Sequence, residues 1–504
     1  MKSMRRTAWS TSDWLLVVIT LAGAFLRFYR LDAQSFWGDE ALSSLIAASS
    51  VSDIWSNAFG SANPEGYYML LHFWMSLAGE TDLALRCLSA LLGVLSIVLM
   101  YQLGKSFRSK RLGLWAAGIT TVTPYHVFYS QETRMYMLLY CLTCITVLAY
   151  TRWWQGYGRH HWWIVYFLAA VAGLWTHFFA GFVVAALAIH FFLVRLWPRF
   201  ATTASPPSWS GFAVTHGAIA SAFLLYVTHF AQRLLIVKAW RPLPSLSDLT
   251  GLPLTFTTSQ FLGGAWQTIA LGCVTFLVIV VGLQAARALW RGSPASEWLL
   301  LLGLLLVTPV MASFTVSQIW KPVFTARVLI IVVPALYLLV AWSAAHTRER
   351  HFNQLILALL LPQMMLGLHN WFFDPSFAKP LIRDAVRLVQ DLEPTDAPVL
   401  HAIAESYMVF EHYAPSVENC LLSDPVQPRV GKRIDPADVS YQRFWFVILP
   451  TYAHESQLAL LDDLDSRFER RQERSVGGVQ LYLYVSDEPL TNEIGSASGQ
   501  QSPI

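Results

Sequence analysis

Residues 91–120 read LLGVLSIVLMYQLGKSFRSKRLGLWAAGIT. An apolar run ends in Lys105, Arg108, Lys110 and Arg111, with no acid among them, and a second apolar run begins at Leu112. A bilayer core rejects charged side chains, and cations collect at its cytoplasmic ends. The stretch therefore reads as two membrane-spanning helices joined by a short basic turn in the cytoplasm.

The same alternation runs along most of the chain. Of 504 residues, 55% are hydrophobic and 13% charged, whereas soluble domains carry about 25% charged residues. A large soluble core is excluded as the main architecture. Apolar segments begin near Trp14, Leu83, Leu112, Met135, Trp162, Phe178, Gly211, Phe261, Trp298, Arg327 and Phe352. At ~20 residues per crossing they predict a polytopic α-helical membrane protein of about eleven spans, within a range of roughly nine to thirteen.

The charges test this count. With Lys2, Arg5 and Arg6 in the cytoplasm, alternate ends fall at KSFRSKR (105–111), RWWQGYGRHH (152–161), RLWPR (195–199), RALWRG (287–292) and HTRERH (346–351). Each is basic and almost free of acids. The opposite loops hold Asp32, Asp39, Glu40, Asp53, Glu65 and Glu132. This is the positive-inside pattern, and it predicts that these acids face the extracytoplasmic side. GYYMLLHFWMSLAGE (66–80) is apolar but short, and counting it as a crossing would invert every later charge. It reads as a helix at the outer interface, within the first outer loop.

Other signals are weaker. A formal net charge of +3 gives no basic surface for nucleic acid. Cys141 and Cys144 form a C-x-x-C within YCLTCITVLAY, an apolar run in which they read as packing residues. Cys420 stands alone in the polar C-terminal part, which leaves that part no internal disulfide. The first apolar stretch, Trp14 to Phe28, lacks a small-residue cleavage site and reads as a retained span.

From about Asp374 the pattern changes. SFAKPLIRDAVRLVQDLEP and ESQLALLDDLDSRFERRQER read as amphipathic helices, and APVLHAIA, RFWFVILP and VQLYLYVS as short buried strands. The expected organisation is a transmembrane domain over 1–373, a small extracytoplasmic α/β domain over 374–487, and a disordered tail over 488–504.

The chemistry is expected where charge gathers on the outer side. The first outer loop carries Asp39 and Glu40 and ends in SANPEGYY, and the second, TPYHVFYSQETRMY, carries His126, Gln131, Glu132, Arg134 and Tyr136. Later loops add His177, then Gln232, Arg233, Lys238 and Arg241, then Lys321 and Arg327. Arginine suits phosphate because its fork donates two parallel hydrogen bonds, and lysine adds a point charge. A carboxylate beside such cations can serve as general base toward a hydroxyl acceptor. Asp39 also stands where a helix N-cap belongs, Glu40 would sit in the first helical turn, and both readings stay open. His126 and His177 lack metal-ligand spacing, so no cofactor is predicted; a divalent metal stays open but has no support in the sequence.

The stretches FWGDEA, NPEGYYMLLHFW, ALRCLSALLGVLSI and YSQETRMYMLL resemble, in order, the PMT-type membrane glycosyltransferases of superfamily GT-C. These include the dolichyl-phosphate-mannose–protein mannosyltransferases and the bacterial lipid A aminoarabinose transferases. The resemblance spans about residues 14–150 and is weaker at KPVFTARVLIIVVPALYLL. It implies a sugar donor carried on a polyprenyl phosphate, a protein, lipid or glycan acceptor, and a site on the outer face of a bacterial plasma membrane. By the same resemblance Asp39 is the base or acceptor-orienting carboxylate, with Glu40 beside it. Glu132, Arg134 and Tyr136 match the family's second-loop motif, and Arg134 and Arg327 would contact the donor phosphate. From their place on the outer side, Lys321 joins Tyr136 in the phosphate set, and His126, Tyr67 and His72 join Glu132 as supporting residues. The chain departs from the family at Asn63-Pro64-Glu65, where His-Pro-Pro is frequent, and at Arg327-Val328, where Arg-Tyr is usual.

The activity this implies is inverting transfer. A leaving phosphate is a weak base and needs no protonation, so one carboxylate suffices, in contrast to the pair used by glycosidases. Two other classes remain open: a multi-pass secondary transporter, and a glycan ligase or polymerase using a polyprenyl-pyrophosphate donor. A transporter would place charges at mid-span within inverted repeats, and no such repeat is visible.

Overall fold

A computed structural model describes residues 10–58, 60–157, 159–201, 206–236, 242–346, 350–392, 397–422, 431–450 and 455–486. Lys2, Arg5, Arg6, Lys238, Arg241 and the tail 488–504 lie outside the described residues, as do the side chains of Gln232 and Arg233. The chain divides into two units, Met1–Gln34 with Ile46–Ala378 and Ser35–Leu45 with Lys379–Ile504.

The turn at 108–109 shows how sequence sets the first unit. Helix α5 (Asp82–Phe107) stops at Arg108, and Ser109 accepts the Leu112 backbone N–H at 3.2 Å to cap α6 (Lys110–Val122). The two helices approach closely because both carry glycine at the contact. A Cβ on Gly104 would lie 2.7 Å from Gly113 Cα, and one on Gly113 would lie 2.5 Å from the Tyr101 carbonyl oxygen. Small residues give apolar helices this intimacy where no hydrophobic gradient drives them together. Pro124 then ends α6, since it has no N–H to continue the ladder, and starts the short α7 (Pro124–Ser130).

The remaining helices follow the apolar runs and belong to this unit, except the start of α2, which belongs to the second. α1 (Thr11–Phe28) precedes the first loop, whose helices are α2 (Gly38–Ala48), α3 (Val51–Ser56) and α4 (Gly66–Ala78). After α7 come α8 (Tyr136–Trp154), α9 (Arg159–Thr176), α10 (Ala180–Leu196), α11 (Trp209–Ile236), α12 (Leu246–Thr258), α13 (Gly264–Trp290) and α14 (Ser296–Ile319). A 3₁₀ turn (Val328–Val332) leads into α15 (Val333–His346), and α16 (Arg350–Phe373) closes the set. All eleven expected segment starts fall within three residues of a helical start. Among the described residues, eight helices are long and apolar enough to cross a membrane, and His161–Thr176 and Ala180–Leu196 are shorter apolar helices. α6, although expected as a span, has 13 residues, short of the ~20 that a crossing needs. The segment Val328–His346 is the centre of the unit, with 94% of its apolar window buried.

The second unit is built on a six-stranded sheet of order β3-β2-β1-β4-β6-β5. The strands are β1 (Val399–His401), β2 (Asn419–Leu422), β3 (Lys432–Ile434), β4 (Arg443–Ile448), β5 (Glu469–Val476) and β6 (Val479–Val485). β1 pairs in parallel with β2 and β4, β2 in parallel with β3, and β6 antiparallel with both β4 and β5. Successive side chains alternate faces. Val399, Leu421, Trp445, Val447, Leu481 and Leu483 meet α17 (Ile382–Leu392), α18 (Ala404–Tyr413) and, through Ala41, the start of α2. Leu400, Cys420, Phe444, Phe446, Tyr482 and Tyr484 meet α19 (Glu455–Arg467) on the other face. Helices on both faces explain why β4 reads as a continuous apolar run.

Two expectations are corrected here. The helix predicted across 455–474 ends at Arg467, and the charged run after it is strand β5. β2 and β3 were not expected at all.

Candidate active site

The loop between α7 and α8 gathers charged and aromatic side chains. Between α7 and α8 the run Gln131 to Tyr136 is buried throughout, with Glu132 fully buried and Arg134 3% exposed. Burying charge in a loop is costly, and such groups cluster at functional sites. The turn is tight, with the Arg134 N–H donating to the Glu132 carbonyl at 2.8 Å. The Arg134 guanidinium lies 5.9 Å from the Tyr136 ring centroid, and the Tyr136 and Tyr129 rings are 5.0 Å apart. Tyr129 is within electrostatic reach of Glu132, Tyr136 and Arg327. Arg327 is half-buried ahead of the 3₁₀ turn, and the neighbouring Ala326 carbonyl accepts the Tyr125 hydroxyl at 2.7 Å. The structure thus brings Glu132, Arg134, Tyr136 and Arg327 into one group around Tyr129, nearly two hundred residues apart in sequence.

The other members of the expected set lie elsewhere or act differently. Lys321 is half-buried, 6.0 Å from the Trp320 ring centroid. Tyr67 is fully buried against Tyr68, with ring centroids 5.9 Å apart, and Tyr68 hydrogen-bonds Ser61. His72 is tied to the end of α2, its Nδ1 2.8 Å from the Ala47 carbonyl. His126 is not interfacial, as its outer-loop position suggested. It is fully buried, with Nδ1 accepting from Arg27 at 2.9 Å and Nε2 2.9 Å from the Ser96 hydroxyl. Arg27 also donates to the Gly23, Thr120 and Thr121 carbonyls, so it satisfies helix-end acceptors of α6.

Several motif residues prove to be braces. Gln131 donates its amide to the Arg27 and Tyr29 carbonyls at 3.0 and 2.9 Å and accepts from the Trp371 indole at 2.7 Å. It fastens the end of α1 to α16. Arg86, the arginine of ALRCL, donates to the Leu31 and Gln34 carbonyls at 3.1 and 2.8 Å. It fixes the chain just before the acidic pair.

That pair itself opens α2 within the second unit. Asp39 is half-buried, whereas Glu40 is fully buried and meets Lys379 at 2.9 Å. The Gly38 N–H lies 3.4 Å from the Glu405 carboxylate, Phe36 stacks on His412 at 4.8 Å, and the Phe36 N–H donates to Tyr413. A Cβ on Gly38 would sit 2.6 Å from Glu405, so only glycine lets α2 start there. Asp39 is therefore held on a short helix whose entry is locked by α18. Lys379, Glu405 and His412 were not singled out from sequence, because residues so distant in the chain leave no local pattern.

Among the described residues, no group of three or more His, Cys, Asp or Glu could hold a metal ion.

Residues 63–226 match the family model described as dolichyl-phosphate-mannose-protein mannosyltransferase. The crystal structure of ArnT from Cupriavidus metallidurans bound to undecaprenyl phosphate superposes with a TM-score of 0.62 at 13% identity, covering 94% of this chain and 98% of that one. The chain shares the fold of that ArnT structure. The apo form of the same ArnT also matches, at a TM-score of 0.62 and 12% identity, over 94% and 98% of the two chains. The Archaeoglobus fulgidus oligosaccharyltransferase, tethered with an acceptor peptide, matches this chain at a TM-score of 0.52 and 14% identity, over 95% and 74%. No curated protein matches by sequence.

Proposed function

We propose that the protein transfers a sugar from a polyprenyl-phosphate donor to a hydroxyl acceptor at the outer face of the membrane, with inversion at the anomeric carbon. The observation that carries this reading is the buried group around Tyr129. It combines the Q-E-x-R-x-Y loop with the late Arg327, and the loop lies inside the mannosyltransferase-type match.

In this reading Arg134 and Arg327 stabilise charge as it develops on the leaving phosphate. Electrostatic donors of this kind contribute several kcal/mol. Glu132 holds the arginines in place, and Tyr136 offers its ring to the Arg134 cation. Asp39 takes or orients the acceptor's proton, and Glu40, committed to Lys379, positions the helix that carries it. ArnT was solved with undecaprenyl phosphate, which supports a lipid phosphate as the donor's carrier.

The test is transfer from defined polyprenyl-phosphate sugars to membrane extracts, with wild type beside Asp39→Asn. The expected result is a loss of at least ~10³-fold in rate at unchanged thermal stability, as for removal of a general base. Full activity in Asp39→Asn would remove the base assignment. Solute transport without sugar transfer would remove the enzyme class.

A further inference from the structure

A second built feature stands apart from the cation group. Glu65, at the position where the chain departs from its family pattern, is 3% exposed and accepts the Tyr226 hydroxyl at 2.6 Å. The Tyr226 ring stacks on Trp175, with centroids 5.5 Å apart and planes at 29°. Trp175 in turn lies 6.0 Å from Trp55. The two tryptophans are 38% and 45% exposed, whereas Tyr226 is buried behind them. Gly66 seats the start of α4 directly on this stack. A Cβ there would be 2.5 Å from the Trp175 carbonyl oxygen, so no larger residue permits the approach. The loop between α3 and α4 is also pinned, because Asn57 exchanges hydrogen bonds with both backbone groups of Ser61 at 2.8 and 2.9 Å.

We propose that Trp55 and Trp175 form a saccharide-binding shelf that receives the sugar ring of the acceptor. An aromatic face is electron-rich, and the C–H face of a sugar ring is weakly positive, so the two stack. Two indoles at an angle cradle one ring or two successive rings. Tryptophan at a membrane interface also serves as an anchor. An anchor needs no backing, whereas here a buried carboxylate and a tyrosine fix one indole from behind. That is preorganisation, which raises affinity by lowering the ordering cost of binding. The shelf uses α3, α4, α9 and α11, and the cation group uses the α7–α8 loop and the turn before α15, so no element is shared between them. The cation group takes the donor's phosphate in the reading above, so the shelf, built from other elements, is assigned to the acceptor. This assignment of the acceptor as a glycan or glycolipid rests on the transfer reading above.

The experiment is saturation-transfer difference NMR on the full chain in detergent, with methyl glycopyranosides of glucose, galactose and mannose and their disaccharides as probes. The expected result is transfer to the C–H protons of one face of at least one probe. It should fall at least fivefold in Trp55→Ala and in Trp175→Ala, and persist in Trp175→Phe and in Asp39→Asn. Trp55 is the more exposed of the two, so its variant keeps the test informative if Trp175→Ala misfolds. Equal transfer in wild type and Trp55→Ala, or no transfer to any probe, overturns the shelf. Displacement of the bound probe by a polyprenyl-phosphate sugar overturns its assignment to the acceptor. A retained shelf signal in a protein that transfers no sugar overturns the proposed function and leaves the shelf standing.

Discussion

Glu40 and Lys379 illustrate what a single residue pair can and cannot reveal from sequence. The acid pair Asp39-Glu40 was legible, because two adjacent carboxylates just beyond an apolar run need a reason. That Glu40 is fully buried against Lys379 while Asp39 is half-buried was not legible. Lys379 lies 339 positions away, and such pairing leaves no spacing or periodicity to read. The same holds for Tyr129, which gathers Glu132, Tyr136 and Arg327 yet looks like one more aromatic in an apolar run. The buried bridge predicts a distinctive stability pattern. Glu40→Gln removes the charge opposite a lysine that is 10% exposed, and breaking a buried pair from one side costs about 3–5 kcal/mol. Replacing both partners, as Glu40→Met with Lys379→Met, removes both charges and should recover most of that loss. Thermal unfolding of the purified protein measures it. If Glu40 positions α2 without touching substrate, the double variant also regains transfer activity. Recovered stability with absent activity would instead place Glu40 in direct contact with the reaction.

At the scale of elements, the helices were legible and the sheet only half so. Apolar runs and basic turns locate every long helix start, since membrane burial writes hydrophobicity along the whole segment. α7 and α12 escaped notice because they are short and contain or begin with proline. β1, β4 and β6 were read from their apolar runs, and β5 was not. ERRQERSV lies at the sheet edge and is largely exposed, and charges on an edge strand discourage pairing with other chains, so its sequence mimics the helix before it. His401 shows how these elements are locked. It is fully buried on β1, with Nε2 3.3 Å from Asn419 on β2 and Nδ1 3.2 Å from Ser406 on α18. Burial lowers its pKa from 6.5 to about 3, with the Asn419 hydrogen bond acting weakly the other way. Below pH 6.5 the unfolded chain binds a proton that the native domain refuses, so stability falls as pH falls from there toward 3. The slope from this one group reaches about 1.4 kcal/mol per pH unit. His401→Gln should flatten the difference between unfolding midpoints measured at pH 7 and pH 4.5. Parallel pH profiles for variant and wild type would show that His401 does not carry the dependence.

For the molecule as a whole, the decisive pattern is the sidedness of charge. KSFRSKR, RWWQGYGRHH and RALWRG fall at one set of helix ends, and Asp53, Glu65 and Glu132 at the other. A hydropathy count alone cannot fix orientation, and α6 at 13 residues shows that a count can mislead where proline interrupts a span. The cation bias can fix it, because short basic loops resist translocation. The proposed chemistry depends on the outcome, since the donor sugar must be presented on the side that carries the acidic loops. Single cysteines in a background with the five native cysteines replaced provide the check. Glu80→Cys, in the loop before α5, and Glu473→Cys, on β5, are exposed positions expected to react with a membrane-impermeant maleimide on intact cells. Arg108→Cys, exposed at the α5–α6 turn, should react only after permeabilisation. Labelling of Arg108→Cys on intact cells would invert the orientation, move the acidic loops to the cytoplasm, and require a donor presented on that leaflet. Labelling of Glu80→Cys without Glu473→Cys would separate the sheet domain from the face that carries the first loop, and would break the link between Asp39 and an outer acceptor.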